Sequence, residues 1–508
     1  MKIRFTRYWL NVLCMILGLC LAPAAHAQDV ALTSADGSLT VEGRLLGFDG
    51  EYYQIRSAYG DLTLDGSGVV CSGPACPSLD AFVARARFAG SAVLGQNLMP
   101  VLLEGFAREE GLLLSLTSRD DLNFTYVLSD DESGLPVGEF VFFLNDSQDG
   151  ARALEKEEAD FALTRFAIDV PDLPAPRVLA LDALTLSVSQ DNPVRAVPLT
   201  ALTRIATDKI TNWNELGGPD LEFFAVGKAE DAISLNQILN AHDQVVTGRA
   251  VMDQVQDDSL VLGFTRLSEP GTAVPLRLSG ACGADFVPSA ENLKTRDYPL
   301  TSPQYLYQSK QRKPRLIRQF LRYLATDAAA RDVGFSGFVS PGLDVVPMAA
   351  QGDRITNAVL QAGTDTSLED LQTMLQGLAG AARMTMTFRF QAGSSRLDAQ
   401  SVAEMDVLIQ QLETGRFDGK ELIFAGFSDG EGGADANRRI ALRRASSVRD
   451  ALRRGSDMLD EAGVALTVSG FGEAMPLACD DTEAGRQLNR RVELWVRDVP
   501  TNTLPTEN

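Results

Sequence analysis

Apolar and polar positions divide the 508-residue chain into successive patterns. Behind Lys2, Arg4 and Arg7 runs an apolar stretch from Tyr8 to Leu21, closed by Ala25-His26-Ala27 before Gln28. A basic start, a short apolar run and a small-residue end are the three parts of a secretory signal, which predicts a mature chain beginning near Gln28. Residues 28–82 alternate apolar and polar side chains between Asp-Gly turns, as in Leu39–Leu46 and Tyr52–Arg56, and this predicts a small β unit of hairpins. From 83 to 350 short apolar strands alternate with helical stretches such as 98–109 and 316–324, which predicts an α/β domain on mostly parallel sheets. Residues 351–383 read as a polar connector with helices around 353–360 and 368–378. Residues 384–498 read as a compact α+β segment, and 499–508 as a Pro/Thr/Asn tail without packed structure.

About 480 mature residues exceed what one hydrophobic core organises, so two large domains and a smaller piece are expected. After the signal, no segment offers the roughly 18 uninterrupted apolar residues of a membrane span, and the mature chain is expected to be soluble. Leu19 before Cys20, where a lipid-acceptor cysteine wants a small residue, argues against lipid anchoring. The formal net charge of −22 grows more negative by three once the signal leaves. Such a balance repels nucleic acid and anionic lipid, so any bound anion must be held by local donors.

Cysteine and histidine usage narrows the chemistry further. Cys71 and Cys76 flank a Gly-Pro turn and are expected to form a disulfide in an oxidising compartment. Cys282 and Cys479 fit either two buried thiols or a bridge between domains. With His26 gone in the signal, His242 is the only histidine left, which removes histidine-based zinc sites and Ser-His-Asp triads. His242 is expected at a surface helix end. No cofactor or metal is expected. Glu230 and Asp231 supply carboxylates, but no recognisable elements set two acids at a spacing suited to glycoside cleavage, so the chain is read as a binding protein and not an enzyme.

The C-terminal segment carries Phe388-Arg-Phe-Gln-Ala-Gly-Ser-Ser-Arg-Leu-Asp, Ile423-Phe-Ala-Gly-Phe-Ser-Asp-Gly, Asn437, Leu442-Arg-Arg-Ala-Ser-Ser-Val and Asn489-Arg-Arg-Val-Glu-Leu. In order and spacing it resembles the OmpA-like peptidoglycan-binding family. A wall peptide containing diaminopimelate presents an ammonium and a carboxylate on one carbon, and a binder therefore needs an acid and a guanidinium converging on it. The resemblance implies that Asp429 takes the ammonium and Arg444 the carboxylate, with Asn437, Asn489, Arg490 and Arg491 shaping the pocket. Arg444 is expected on a helix whose apolar stripe is Ala441, Ala445, Val448 and Leu452. Phe427-Ser428 stands where the family usually has His-Thr.

The central region carries Phe88-Ala-Gly-Ser-Ala-Val, Ala159-Asp-Phe-Ala-Leu-Thr-Arg, Leu181-Asp-Ala-Leu-Thr, Lys209-Ile-Thr-Asn-Trp and Asp297-Tyr-Pro-Leu-Thr-Ser-Pro. It resembles the phosphate-type (PstS-like) periplasmic substrate-binding proteins. This implies a two-lobed periplasmic-binding-protein fold of type II, its chain crossing between lobes near Asp182 and returning near Tyr298. Ser91, Ser147, Thr164 and Arg165 are the implied ligands of a small oxyanion such as phosphate. The second lobe departs from the family by running Val226-Gly-Lys-Ala-Glu-Asp-Ala in place of a Ser-Gly-Thr turn, and Asp146 and Asp149 flank Ser147. Those acids oppose phosphate unless one accepts its remaining proton. Trp213 and Tyr305 are expected to be packing residues. The whole chain thus reads as a periplasmic protein held on peptidoglycan and associated with the outer membrane. Its central domain would bind a small ligand, feed a transporter, or meet another envelope protein.

Overall fold

The computed structural model describes residues 30–77, 82–170, 173–228, 231, 251–269, 271–280, 282, 285–363, 366–391, 394, 396–456 and 463–499. The signal, Glu230, His242 and residues 500–508 of the tail lie outside them. The chain forms two compact units, one of residues 1–84 with 312–318 and one of the remainder.

In the first unit, five antiparallel strands follow the order Gly60–Asp65, Tyr52–Ser57, Thr40–Phe48, Val30–Ser34, Val69–Ser72. Alternation buries Val30, Leu32, Tyr53 and Ile55 on one face. Asp49 Oδ1 accepts from the Glu51 and Tyr52 amides at 2.9 and 2.7 Å, and Gly50 takes a φ of 89° to close that hairpin. Cys71 and Cys76 are disulfide-bonded.

The second unit holds two folded regions that share a core. The central region is a continuous sheet in the order Phe224–Gly227, Val261–Arg266, Arg177–Val188, Thr301–Gln308, Phe161–Thr164, Ala84–Ser91, Pro136–Asn145, Asn123–Asp130, Leu112–Ser118. The long strand Arg177–Val188 pairs with Thr301–Gln308 over its first half and Val261–Arg266 over its second, with Asp182 opposite Ser302 at the crossing. It therefore belongs to two lobes at once. Stacked Phe88, Phe142 and Phe161 fill the first lobe. In the second, Trp213 lies against Phe223 with ring centroids 4.5 Å apart.

The expectation of mostly parallel sheets is corrected. Parallel pairing joins Phe161–Thr164 to Ala84–Ser91, Phe224–Gly227 to Val261–Arg266, and Ala196–Pro198 to Arg277–Ser279. The rest of the central sheet is antiparallel where its register is defined, because residues 112–145 form a meander and the lobe-crossing strands run against each other. Hairpin strands between helical stretches give the same apolar runs as βαβ units, so periodicity alone does not separate them.

The C-terminal region has a five-stranded sheet in the order Val345–Val346, Ala382–Arg389, Arg491–Asp498, Lys420–Phe427, Ala465–Gly470. Strand alternation sorts its two faces: Leu422 and Phe424 meet helices Ala399–Glu413 and Ala434–Gly455, while Ile423, Ala425 and Phe427 meet helices Gly352–Gln361 and Leu368–Gly377. Ala441, Ala445, Val448 and Leu452 are fully buried along helix Ala434–Gly455. A Cβ on Gly426 or Gly470 would collide with that helix's backbone, so these glycines set its close approach to the sheet.

The junction is extensive. Leu477, Ala478 and Leu488 join the second-lobe core, and Cys479 is disulfide-bonded to Cys282, with Cα atoms 5.4 Å apart. Of the two states open for these cysteines, the structure has the bridge. Arg383 makes two hydrogen bonds to Asp297, at 2.5 and 2.9 Å, and lies 3.4 Å from Glu493. Burial opposes the charges of Asp297 and Glu493, but the surrounding guanidiniums win and hold both carboxyls below their usual range. Arg296 binds Asp398 and Ser401 across the same junction.

Candidate functional site

In the C-terminal region, Asp429 follows the strand Lys420–Phe427 and accepts from Arg490 Nη1 at 2.8 Å. Arg490 also donates to Glu483. Arg444, midway along helix Ala434–Gly455, borders the buried stripe and places its guanidinium 5.7 Å from the centre of the Phe390 ring. Its Nη1 is buried and has no hydrogen-bond partner among the described residues. Burial disfavours the Arg444 charge and the field of Asp429 favours it, leaving the guanidinium below its ordinary value. The pair is thus electrostatically linked without being closed into an ion pair.

The other implied residues divide into two layers. Asn437, buried near the helix start, donates to Glu473 at 2.5 Å and keeps its Oδ1 buried without a partner among the described residues. Asn489 accepts from the Leu477 and Ala478 amides and donates to the Ala478 carbonyl and Asp480. It shapes the loop whose Asp480 in turn accepts from the Gly430 amide beside Asp429. Arg491 is fully buried, bonded to Glu493 and the Met475 carbonyl, with its guanidinium 4.3 Å from the Phe427 ring centre. Asp429, Arg444 and Arg490 therefore come together at the surface, and Asn489 and Arg491 lie beneath as supports. Glu483 and Phe390 were not singled out from the sequence; an acid seven residues before Arg490 is too common a spacing to signal itself.

In the central cleft, the parallel strands ending at Ser91 and Thr164 deliver those residues to the start of helix Ser147–Glu155. Ser147 Oγ accepts from the Arg165 amide at 3.0 Å, and Thr164 Oγ1 donates to the Phe166 carbonyl at 2.9 Å. Ser91, Ser147, Thr164 and Arg165 are all buried. Arg165 Nη2 lies 3.8 Å from Asp182 and 3.7 Å from Asp231, and Asp231 is bonded to Arg266 at 2.7 Å. Burial opposes the Asp231 charge, yet Arg266 and Arg165 keep its carboxyl below the usual range. The flanking acids are engaged locally: Asp146 caps the helix by accepting from the Asp149 amide, and Asp149 pairs with Arg152. Ser91 Oγ and Asp231 Oδ2 are buried and have no hydrogen-bond partner among the described residues.

Residues 389–490 match the model of the OmpA family. Residues 144–328 match a model described as a PBP superfamily domain. Outer membrane porin F of Pseudomonas aeruginosa is 29% identical over 122 residues, which is 23% of this chain and 33% of that protein. The chain thus spans about a third of the length of this curated relative. Among solved structures, an ABC-type phosphate transport receptor from Vibrio cholerae aligns at 19% identity and a TM-score of 0.39, over 50% of this chain and 100% of that one. PstS from Borrelia burgdorferi aligns at 13% identity and 0.35, over 51% and 98%. At that similarity, what those receptors bind is a statement about them alone. Among the described residues, no helix is long and apolar enough to cross a membrane.

Proposed function

We propose that this chain is an exported envelope protein, retained non-covalently on peptidoglycan by residues 384–498, with the central residues 83–350 held on that anchor as a ligand-binding module. The observation that carries the anchor is Arg444 Nη1, a buried donor with no partner among the described residues, beside the Asp429 carboxylate. A ligand with an ammonium and a carboxylate on one carbon, as in diaminopimelate, satisfies both groups at once. Asp429 takes the ammonium, Arg444 the carboxylate, and Arg490 holds Asp429 in place. The likeness to a third of an outer membrane porin supports an outer-membrane-associated, periplasmic setting. The test is co-sedimentation of the mature protein with purified peptidoglycan, with Asp429→Ala and Arg444→Ala. Loss in both variants, with unchanged circular dichroism, is expected; full binding by both would overturn the assignment.

A second reading concerns the cleft. Ser91 Oγ and Asp231 Oδ2, a donor and an acceptor both buried without partners among the described residues, suit an oxyanion that still carries a proton, such as hydrogen phosphate. The alternative is a partner-binding platform that takes no small ligand. Calorimetric titration with phosphate separates the two: heat that vanishes in Ser91→Ala supports the oxyanion, and no heat beyond dilution removes it.

A further inference from the structure

A cavity of about 350 Å³ lies between the strand Arg177–Val188 of the central region and the helix Ala399–Glu413 of the C-terminal region. It shares no lining residue with the wall pocket or the cleft. Its walls mix apolar and polar side chains: Leu181, Leu306, Leu324 and Val333 form an apolar strip on one side, Met386 and Val407 stand on the other, and Lys294, Asp327 and Arg416 are among the charged residues of the lining. A volume of this size holds a compact organic ligand, roughly a dozen heavy atoms at about 30 Å³ for each water-sized group.

Among the polar residues of this lining, Arg177 and Glu404 stand out. Arg177 has no hydrogen-bond or ion-pair partner among the described residues, and Asp406 acts on it only at longer range. A largely desolvated guanidinium whose acid, Asp406, acts without a bond to it gains from a direct partner, and a carboxylate meets its planar fork with two parallel hydrogen bonds. Glu404 accepts from Gln400 at 2.8 Å through one oxygen, while its Oε2 is buried without a partner among the described residues. Burial pushes Glu404 up to about 8, with Asp398 adding to the rise and Arg296 and Arg389 opposing it; Tyr305 also lies within its field. At neutral pH it is therefore a neutral carboxyl that adds no repulsion to an anionic guest.

We propose that this cavity binds an amphipathic monocarboxylate, with the carboxylate paired to Arg177 and the apolar body laid along Leu181, Leu306, Leu324 and Val333. The ligand then bridges the central region and the wall-binding region, touching both walls of their junction.

Decanoate tests this in calorimetry on the full mature protein, beside decylamine and acetate, which each keep only half of the required chemistry. Saturable one-to-one binding of decanoate alone is expected. Arg177→Gln should weaken it about ten- to hundredfold, the worth of a charge-assisted hydrogen bond, while Arg177→Lys restores part of the loss. Binding should also weaken above pH 8, where Glu404 ionises, and Glu404→Gln should remove that dependence. No binding by the wild-type protein overturns the proposal. So does equal binding of decanoate by wild type and a folded Arg177→Gln, or equal binding of decylamine.

Discussion

The wall pocket and the central cleft use the same two residue types, aspartate and arginine, in opposite states of compensation. Asp429 and Arg444 sit half-buried at a surface, linked through space, with one guanidinium nitrogen left unbonded. In the cleft, Arg165 and Arg266 are buried against Asp182 and Asp231, so two positive and two negative groups balance each other within the protein. The cleft balances its charges internally and leaves Ser91 Oγ and Asp231 Oδ2 unbonded, which suits a ligand that both accepts and donates, whereas the pocket keeps a charged donor unbonded and gains most from a carboxylate. Removing an acid should therefore cost stability in the cleft and affinity in the pocket.

The largest effect is expected at Asp231. Asp231→Ala leaves Arg165 and Arg266 buried with one counter-ion fewer and should cost about 3–5 kcal/mol in denaturant unfolding. Asp429→Ala, where Arg490 keeps Glu483 as a second partner, should cost less, about 1–2 kcal/mol, in the same measurement. Equal losses at the two positions would break the contrast. Next in size is the bridge between Cys282 and Cys479, which spans 197 residues and fixes the loop that carries Asp480, Glu483 and Arg490. Replacing both cysteines by alanine should cost about 2–4 kcal/mol. It should also lower peptidoglycan affinity, because that loop positions Asp429 through Arg490 and through the Gly430 amide. Smaller again is the direct loss of wall binding in Arg444→Ala, about 1.5–3 kcal/mol in affinity by quantitative co-sedimentation, with unfolding unchanged to within about 1 kcal/mol.

Legibility followed the range of the contacts. Local periodicity was enough to place Ala441, Ala445, Val448 and Leu452 in one buried stripe and Arg444 at its border, and the hairpins of residues 30–72 follow from alternation and Asp-Gly turns. Strand direction was not legible in the central region, since apolar runs look alike in parallel and antiparallel pairs. The junction was hidden for a different reason. Leu477, Ala478 and Leu488 read as apolar residues of their own domain, and nothing near them in sequence says that they join the core that holds Trp213 and Leu262. Arg491 shows the same limit: a run of Asn489-Arg490-Arg491 looks uniform, but Arg490 ends the helix Glu483–Asn489 and reaches Asp429, while Arg491 opens the strand Arg491–Asp498 and lies in the core.

Glu404 extends the comparison to a buried acid with no guanidinium bonded to it, and its signature is a pH dependence of the opposite sign to that of Asp231. Its folded-state value of about 8 lies above its ordinary value of 4.5, so between those pH values the folded chain keeps a proton that the unfolded chain has lost. The stability it contributes is complete below about pH 4.5 and is lost as pH rises through 8. Asp231, held below its ordinary value, instead contributes stability above that value and loses it as pH falls through the folded one. Unfolding midpoints compared between wild type and Glu404→Gln should accordingly diverge from pH 6.5 to 7.5 by about 1 kcal/mol, the wild type falling relative to the variant. A constant difference across that interval would mean that Glu404 is ionised in the folded protein, and the cavity beside it would then repel the anion that Arg177 is left to attract.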